Sequence, residues 1–541
     1  MTERQTQTAE YWSDAFEVEE SDLDYLYNLL LEEETPLSSA EMALAIIERR
    51  VEREAQAARR REQGTTLYLP KETFAVGQQL VFPALDYAAG TVVGVRLGRN
   101  LEFNEFDVLQ IDFGEGRPTR EFAARLANHK LNEAQEQTAM GEVKAPEALF
   151  AEFGPAIAAK LNARLQANPE IVVLAGRWFP RALLATVNIG HLNLAEAVLD
   201  VAGGGPLPTD ELLKDTGLPS NINPRLQAFS LNYALQEDTR FDEVGPVGQV
   251  SWYLRRLEPP DVQVVPKRLQ NSAPDYDRRR LPPNLVQLER ELDDEFSPRS
   301  EVVAIPGNGQ PPEAGNGSAT PEEIQVTLGF PHRRLGTLPL SARLAPLFPT
   351  ALKSPRIRFQ FVDGDTGQKF PGWVVRLGEY VYGLDEWYHS LDFPVGGYLR
   401  LRRGAQPGEV MVRARKRRPT REWVRTAAAT PDGRLTFSMQ KQLIGVDYDE
   451  LMMMAGGNLA TVDDVWVRSQ SLPFPRLVAD VFRELAKLNP QSAVHAKTLY
   501  GAVNVARRSP PGPIFAELVA HPYFVLVGDA YWRFDQSHWT E

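Results

Sequence analysis

The spacing of apolar positions changes period several times along this chain. Leu23, Leu26, Leu29 and Leu30 recur every three or four residues, which places them on one helical face until Thr35-Pro36 breaks the run. Ser39 is placed to cap a second helix, carried by Met42, Ala45, Ile46 and Arg49 to near Gly64. From Thr65 the period drops to two. Stretches 76–82, 91–95 and 106–113 read as short strands, punctuated by Gly90, Asn100 and Gly114-Glu115-Gly116. Strands this short and close predict a small barrel.

Beyond the barrel, residues 135–260 are mainly helical and close on a strand pair. Prolines and glycines thicken from Pro259-Pro260 through Pro282-Pro283 to the run 306–318, a composition that builds no core, so 300–322 reads as a flexible linker. Residues 326–425 are strand-rich. Residues 470–535 return to helices followed by strands. Met452-Met453-Met454 read as core packing rather than a cofactor box.

Two stretches share one order of elements. The later has helices at 477–487, 496–507 and 512–520, then a strand pair at 523–534 turning through Gly528-Asp529. The earlier has helices at 194–202, 209–216 and 224–236, then strands around 241–246 and 249–254. Helices 20–63 resemble half of a third copy, but no strand pair follows them in register. The expected fold class is α+β multidomain, with winged helices plus small β-barrels. The expected divisions are a helical region at 1–64, a barrel at 65–134, a helical region with a winged helix at 135–260 and a largely disordered linker at 261–325. A basic barrel at 326–425 and a C-terminal winged helix at 426–541 complete them.

Phe524, Val527, Gly528 and Trp532 in one copy, and Phe241, Val244, Gly245 and Trp252 in the other, resemble the wing of the HARE-HTH family, which includes the N-terminal domain of the bacterial RNA polymerase delta subunit. The barrel order "VGQQLVFPALDYAAGTVVGV … FDVLQIDFGEG" is similar to SH3-like barrels of transcription factors, including the polymerase-binding module of the CarD type. Residues 333–349, with strand 357–362, the turn 363–367 and the stretch 393–401, look like the DNA-binding pseudobarrel of the B3 type. These resemblances imply a transcription- or chromosome-related protein with DNA and RNA polymerase as candidate partners.

Charge sharpens that picture. The 541-residue chain carries a net charge of −13, yet ten basic residues face two acidic ones between positions 400 and 425. The stretch 331–425 holds a net charge of about +10, the footprint of a polyanion site inside an acidic protein. The candidate nucleic-acid contacts are Arg333, Arg334, Arg343, Arg356, Arg358, Arg400, Arg402, Arg403, Arg413, Arg415, Lys416, Arg417, Arg418 and Arg421. With no base-reading helix beside them, they predict grip on phosphate with low sequence specificity. The third helix of the later copy, 512–520, has no Lys or Arg, so the winged helices are expected to bind proteins rather than read DNA.

Catalytic patterns are missing from the sequence. No cysteine is present, and the seven histidines show no metal-ligand spacing. There is no phosphate-binding glycine loop and no nucleophile elbow. Asp363-Gly364-Asp365-Thr366-Gly367 opens like a calcium loop but reads as a tight turn. The acidic start and the want of a long apolar run lead to the expectation of a cytoplasmic protein without a membrane segment, metal or cofactor. A non-enzymatic DNA-associated protein is the favoured expectation. The alternative is a scaffold whose basic barrel docks on acidic protein surfaces.

Overall fold

The computed structural model describes residues 5–63, 66–82, 85, 88–99, 105–114, 118–127, 129–133, 144–219, 221–292, 295–296, 323–456 and 459–539. The chain forms two compact units, one Met1–Leu184 and the other Ala185–Ile305 with Gln310–Glu541. The linker expected at 300–322 lies outside the described residues.

The first unit opens with α1 (Glu20–Glu33), β1 (Leu37–Ser38) and α2 (Ser39–Gln63). Five strands follow, β2 (Thr66–Leu67), β3 (Gln79–Phe82), β4 (Ala88–Leu97), β5 (Asp107–Asp112) and β6 (Arg120–Ala124). They pair in sequence order, antiparallel except for β2 against β3. Alternation drives this sheet: Leu80, Phe82, Val92, Leu109 and Ile111 all point into one buried cluster with Tyr68 and Phe74. After α3 (Lys130–Glu133), the long helix α4 (Pro146–Gln166) packs against α2, and β7 (Ile171–Leu174) turns into β8 (Arg177–Pro180). Strand β8 pairs back to β1. The strand pair missing after α2 in sequence is therefore present, more than a hundred positions downstream. The five-stranded sheet is inserted between the second and third helices of the unit. Long insertions are tolerated because loop-closure entropy grows only logarithmically. The expected division at 134/135 gives way to one at Leu184.

The second unit begins with the same order: α5 (Ile189–Val201), β9 (Leu207–Pro208), α6 (Thr209–Thr216), α7 (Pro224–Glu237), β10 (Phe241–Glu243) and β11 (Ser251–Leu254). Asn188 caps α5 by accepting from the His191 amide at 3.2 Å, and the His191 ring accepts from the Asn188 amide. Residues 261–292 are not a loose linker. They hold α8 (Pro260–Gln263) and α9 (Pro283–Leu292), and Leu281, Leu285 and Leu288 are buried in the same core as the C-terminal helices. The prolines that resemble a linker in composition serve here as helix starts, Pro283 opening α9.

Next come β12 (Ile324–Thr327), α10 (Phe330–Leu335), β13 (Thr337–Pro339), β14 (Arg356–Asp363), β15 (Lys369–Val375), β16 (Tyr380–Tyr382), α11 (Asp385–Ser390), β17 (Tyr398–Arg403) and β18 (Glu409–Ala414). They make an open seven-stranded sheet in the order β12-β17-β18-β14-β15-β16-β13, antiparallel except for β14 against β18. Its inner face buries Phe359, Phe361, Val374, Leu399, Leu401, Val410 and Val412. On β14 to β16 the outer face is covered, because Trp373, Val375 and Tyr380 pack with Val244 and Tyr253.

Strands β19 (Lys416–Ala429) and β20 (Leu435–Val446) form a long antiparallel ribbon, with β21 (Ala455–Gly456) beside β19. The expected boundary at 425/426 thus falls inside a strand. After α12 (Leu459–Ser469) the order recurs a third time: α13 (Phe474–Ala486), β22 (Ala493–His495), α14 (Ala496–Ala506), α15 (Pro511–Ala520), β23 (Phe524–Gly528) and β24 (Tyr531–Phe534). Met452 and Met454 are core residues here.

The three copies share register as well as order. In each, the short strand sets an aliphatic residue opposite a tryptophan of the hairpin: Leu37 with Trp178, Leu207 with Trp252, Val494 with Trp532. In the first copy the Trp178 indole donates to the Ser39 hydroxyl at 2.8 Å, and Ser39 donates to Asn162. In the second, Trp252 and Thr209 both donate to Asn232, at 2.8 and 2.6 Å. Asn162 and Asn232 each stand nine residues before the first hairpin strand. The same position in the third copy is Phe515, with Ala496 replacing the hydroxyl residue, and the buried Trp532 N–H has no hydrogen-bond partner.

Candidate nucleic-acid interface

Alternation along β17 and β18 separates their residues by face. Leu399, Leu401, Val410, Val412 and Ala414 point inward, while Arg400, Arg402, Arg413 and Arg415 point outward. Arg400 lies directly across from Arg413. Like charges so close need counter-charges, and the fold brings them from elsewhere. Glu323 reaches Arg400 at 3.2 Å, Asp365 takes Arg413 at 3.0 Å and Lys416 at 2.8 Å, and Asp447 takes Arg415 at 2.9 Å. Arg417 pairs with Glu422 at 2.7 Å. Thr420, Tyr448 and Arg417 together hold the Glu422 carboxyl down to about 2. Glu323 and Asp447 lie outside the stretch 331–425 whose charge was summed, so the field there is weaker than its composition implies.

Asp365 sits in the turn that resembled a calcium loop. Asp363 accepts from the Asp365 and Thr366 amides at 2.7 and 2.9 Å and from the Trp387 indole at 2.6 Å. Its carboxylate is spent on closing the turn.

Four of the expected contacts are internal. Arg333 donates to the Phe393 carbonyl at 2.5 Å and lies over Tyr388; burial lowers its pKa. Arg334 pairs with Asp463 at 2.6 Å. Arg356 pairs with Asp242 and lies 3.4 Å from Glu258, fastening the covered face of the sheet. Arg358 stacks on Trp373 at 5.1 Å. Sequence spacing alone does not distinguish such packed guanidiniums from exposed ones.

The rest are outside. Arg343 donates to the Gln325 carbonyl at 2.6 Å and Arg403 to the Pro346 carbonyl at 2.8 Å. Arg402 touches the Met411 sulfur at 3.1 Å. Among the described residues, no carboxylate pairs with Arg402, Arg403, Arg418 or Arg421. The ribbon adds residues the sequence reading passed over. Strand register sets Arg421 opposite Leu443, Trp423 opposite Lys441 and Arg425 opposite Met439, all on one face. Trp423 is 64% exposed and Leu443 63%, while Lys441 is exposed and unpaired among the described residues. The alternation Arg421-x-Trp423-x-Arg425 was the available signal. Arg425 is held inward by the Glu450 and Leu451 carbonyls.

No group of histidine and carboxylate side chains among the described residues is arranged to hold a metal ion, and none of their helices is long and apolar enough to cross a membrane. No protein-family model, curated protein or solved structure matches the chain.

Proposed function

We propose that this is a non-enzymatic DNA-associated protein, working in transcription or chromosome maintenance, that holds the phosphate backbone through the outer face of β17 and β18 and the adjoining ribbon. The carrying observation is a set of exposed cations without a carboxylate partner among the described residues, Arg402 and Arg403 at the end of β17 and Arg418 and Arg421 on the ribbon, in a chain of net charge −13. Cations left without counter-charges are available to phosphates, whose condensed counterions they displace. On this reading the seven-stranded sheet is a pseudobarrel of the B3 kind, the five-stranded sheet an SH3-like barrel, and the three repeated units winged helices. The winged helices and the barrel bind protein partners, RNA polymerase being the candidate.

Filter binding of the full chain to duplex DNA across a salt series tests it. Four phosphate contacts give a log–log slope of about −3.6. Arg418→Glu with Arg421→Glu is expected to flatten that slope by about 2. Affinity without salt dependence, or none at low salt, overturns it. The many ion pairs on β17 and β18 favour one second reading, a scaffold whose basic sheet docks on an acidic protein surface. Binding to an acidic polypeptide but not to DNA would select it.

A further inference from the structure

The ribbon differs from the neighbouring basic strands in one respect: its outward face combines unpaired cations with exposed apolar surface. Arg421, Trp423 and Arg425 follow one another along β19, with Leu443, Lys441 and Met439 opposite. None of these six positions is acidic. Alternate residues of a strand are about 7 Å apart, so Arg421 stands at roughly that distance on one side of Trp423 and Lys441 lies across from it, while Arg425 on the other side is turned to backbone carbonyls. Downstream the face opens onto a cleft of about 520 Å³ lined by Trp423, Met439, Tyr448, His495 and Tyr531, with the carboxylates of Glu422 and Glu450 also in its wall. That volume lies within the range of small-molecule pockets.

A largely exposed indole beside Arg421 and Lys441 is a poor way to hold duplex phosphates, which need only charge. It suits bases that are free of the stack. A tryptophan ring takes any unpaired base face-on, while flanking cations follow the adjacent phosphates. We propose that the β19–β20 ribbon binds single-stranded nucleic acid, Trp423 stacking on one base, Arg421 and Lys441 holding the flanking phosphates, and the aromatic cleft receiving a neighbouring base. The inference rests on the nucleic-acid reading above and names the strand state that this surface selects. Arg421 and Lys441, exposed beside the indole and unpaired among the described residues, favour an anionic ligand along the ribbon.

The test is fluorescence anisotropy of the full chain with a labelled 20-nucleotide single strand and the corresponding duplex, at one fixed salt concentration. Wild type is expected to bind the single strand at least tenfold more tightly. Trp423→Ala should weaken single-strand binding by about five- to a hundredfold and leave duplex binding unchanged. Trp423→Phe, which keeps a stacking ring, should restore most of the loss. Unchanged thermal unfolding of both variants separates this from a folding defect. Equal affinity for the two forms, with Trp423→Ala altering neither, overturns the inference while leaving the backbone reading intact. Binding to neither form overturns both. Capture by anionic lipid vesicles instead, lost in Trp423→Ala, would also overturn it, because a tryptophan beside cations suits a membrane surface too.

Discussion

At the scale of single residues, the second unit is fastened by buried charges. Glu295 accepts from Arg508 and lies 2.9 Å from His332 Nε2, while His332 Nδ1 meets the Thr337 hydroxyl at 2.8 Å. Burial alone would raise the Glu295 carboxyl; Arg508 and His332 outweigh it and hold it down to about 2. Its stabilisation is complete above the ordinary carboxylate range and is lost as pH falls toward about 2. Glu295→Gln should destabilise the protein by about 3–5 kcal/mol at neutral pH, because it strands a buried guanidinium. In urea unfolding, its deficit against wild type should narrow below about pH 4. Glu258 behaves oppositely. Its buried carboxyl lies beside Asp242 with Arg356 at 3.4 Å, and burial and then Asp242 outweigh that guanidinium and push its pKa up to about 8. The fold therefore prefers the protonated acid, and stability falls as pH rises above the ordinary carboxylate range. Glu258→Gln should gain on wild type between about pH 5 and about pH 9 in the same assay.

The repeated units set the scale of elements, and their hairpins differ in how they are held. Asn232→Leu leaves the Trp252 indole and the Thr209 hydroxyl unpaired, at about 1–3 kcal/mol each. Trp532→Phe removes an N–H that already lacks a partner, so it should cost less than Trp252→Phe in thermal unfolding. Gly245 is required by close approach: a Cβ there would stand 1.9 Å from the Gln249 carbonyl oxygen. Gly245→Ala should destabilise by about 3 kcal/mol, read by denaturant midpoint. Much at this scale was legible in sequence. The second and third copies show their helices and strand pairs contiguously, and Val244-Gly245 marks one hairpin. The first copy was hidden because its hairpin, Ile171 to Pro180, is separated from α2 by a sheet with a different period. The helix α9 was hidden by its prolines. Leu281 just before it and its own Leu285 and Leu288 fall at helical spacing, but composition masked the pattern.

For the whole molecule, net charge proved a poor guide to surface. The basic stretch was visible as a count, but its counter-charges come from Glu323 and Asp447 beyond its ends, which only the register of β12 and the turn after β20 reveal. Among the described residues, what is left without a carboxylate is two groups of cations, Arg402 and Arg403 at the end of β17 and Arg418 and Arg421 on the ribbon. In the full chain, neutralising the paired residues with Arg400→Gln and Arg413→Gln should therefore change nucleic-acid affinity less than Arg418→Gln with Arg421→Gln. Titration at one salt concentration checks the order. The interrupted first copy also has a consequence in time. Helices α1 and α2 carry apolar faces, Leu26, Leu30, Met42 and Ile46, that are buried only when α4 and the hairpin arrive. At about 5–20 residues per second of synthesis, the roughly hundred residues between α2 and β7 impose a wait of about 5–20 s. The inserted sheet is complete within that interval, so the part last recognised in the sequence is also the last to close on the ribosome.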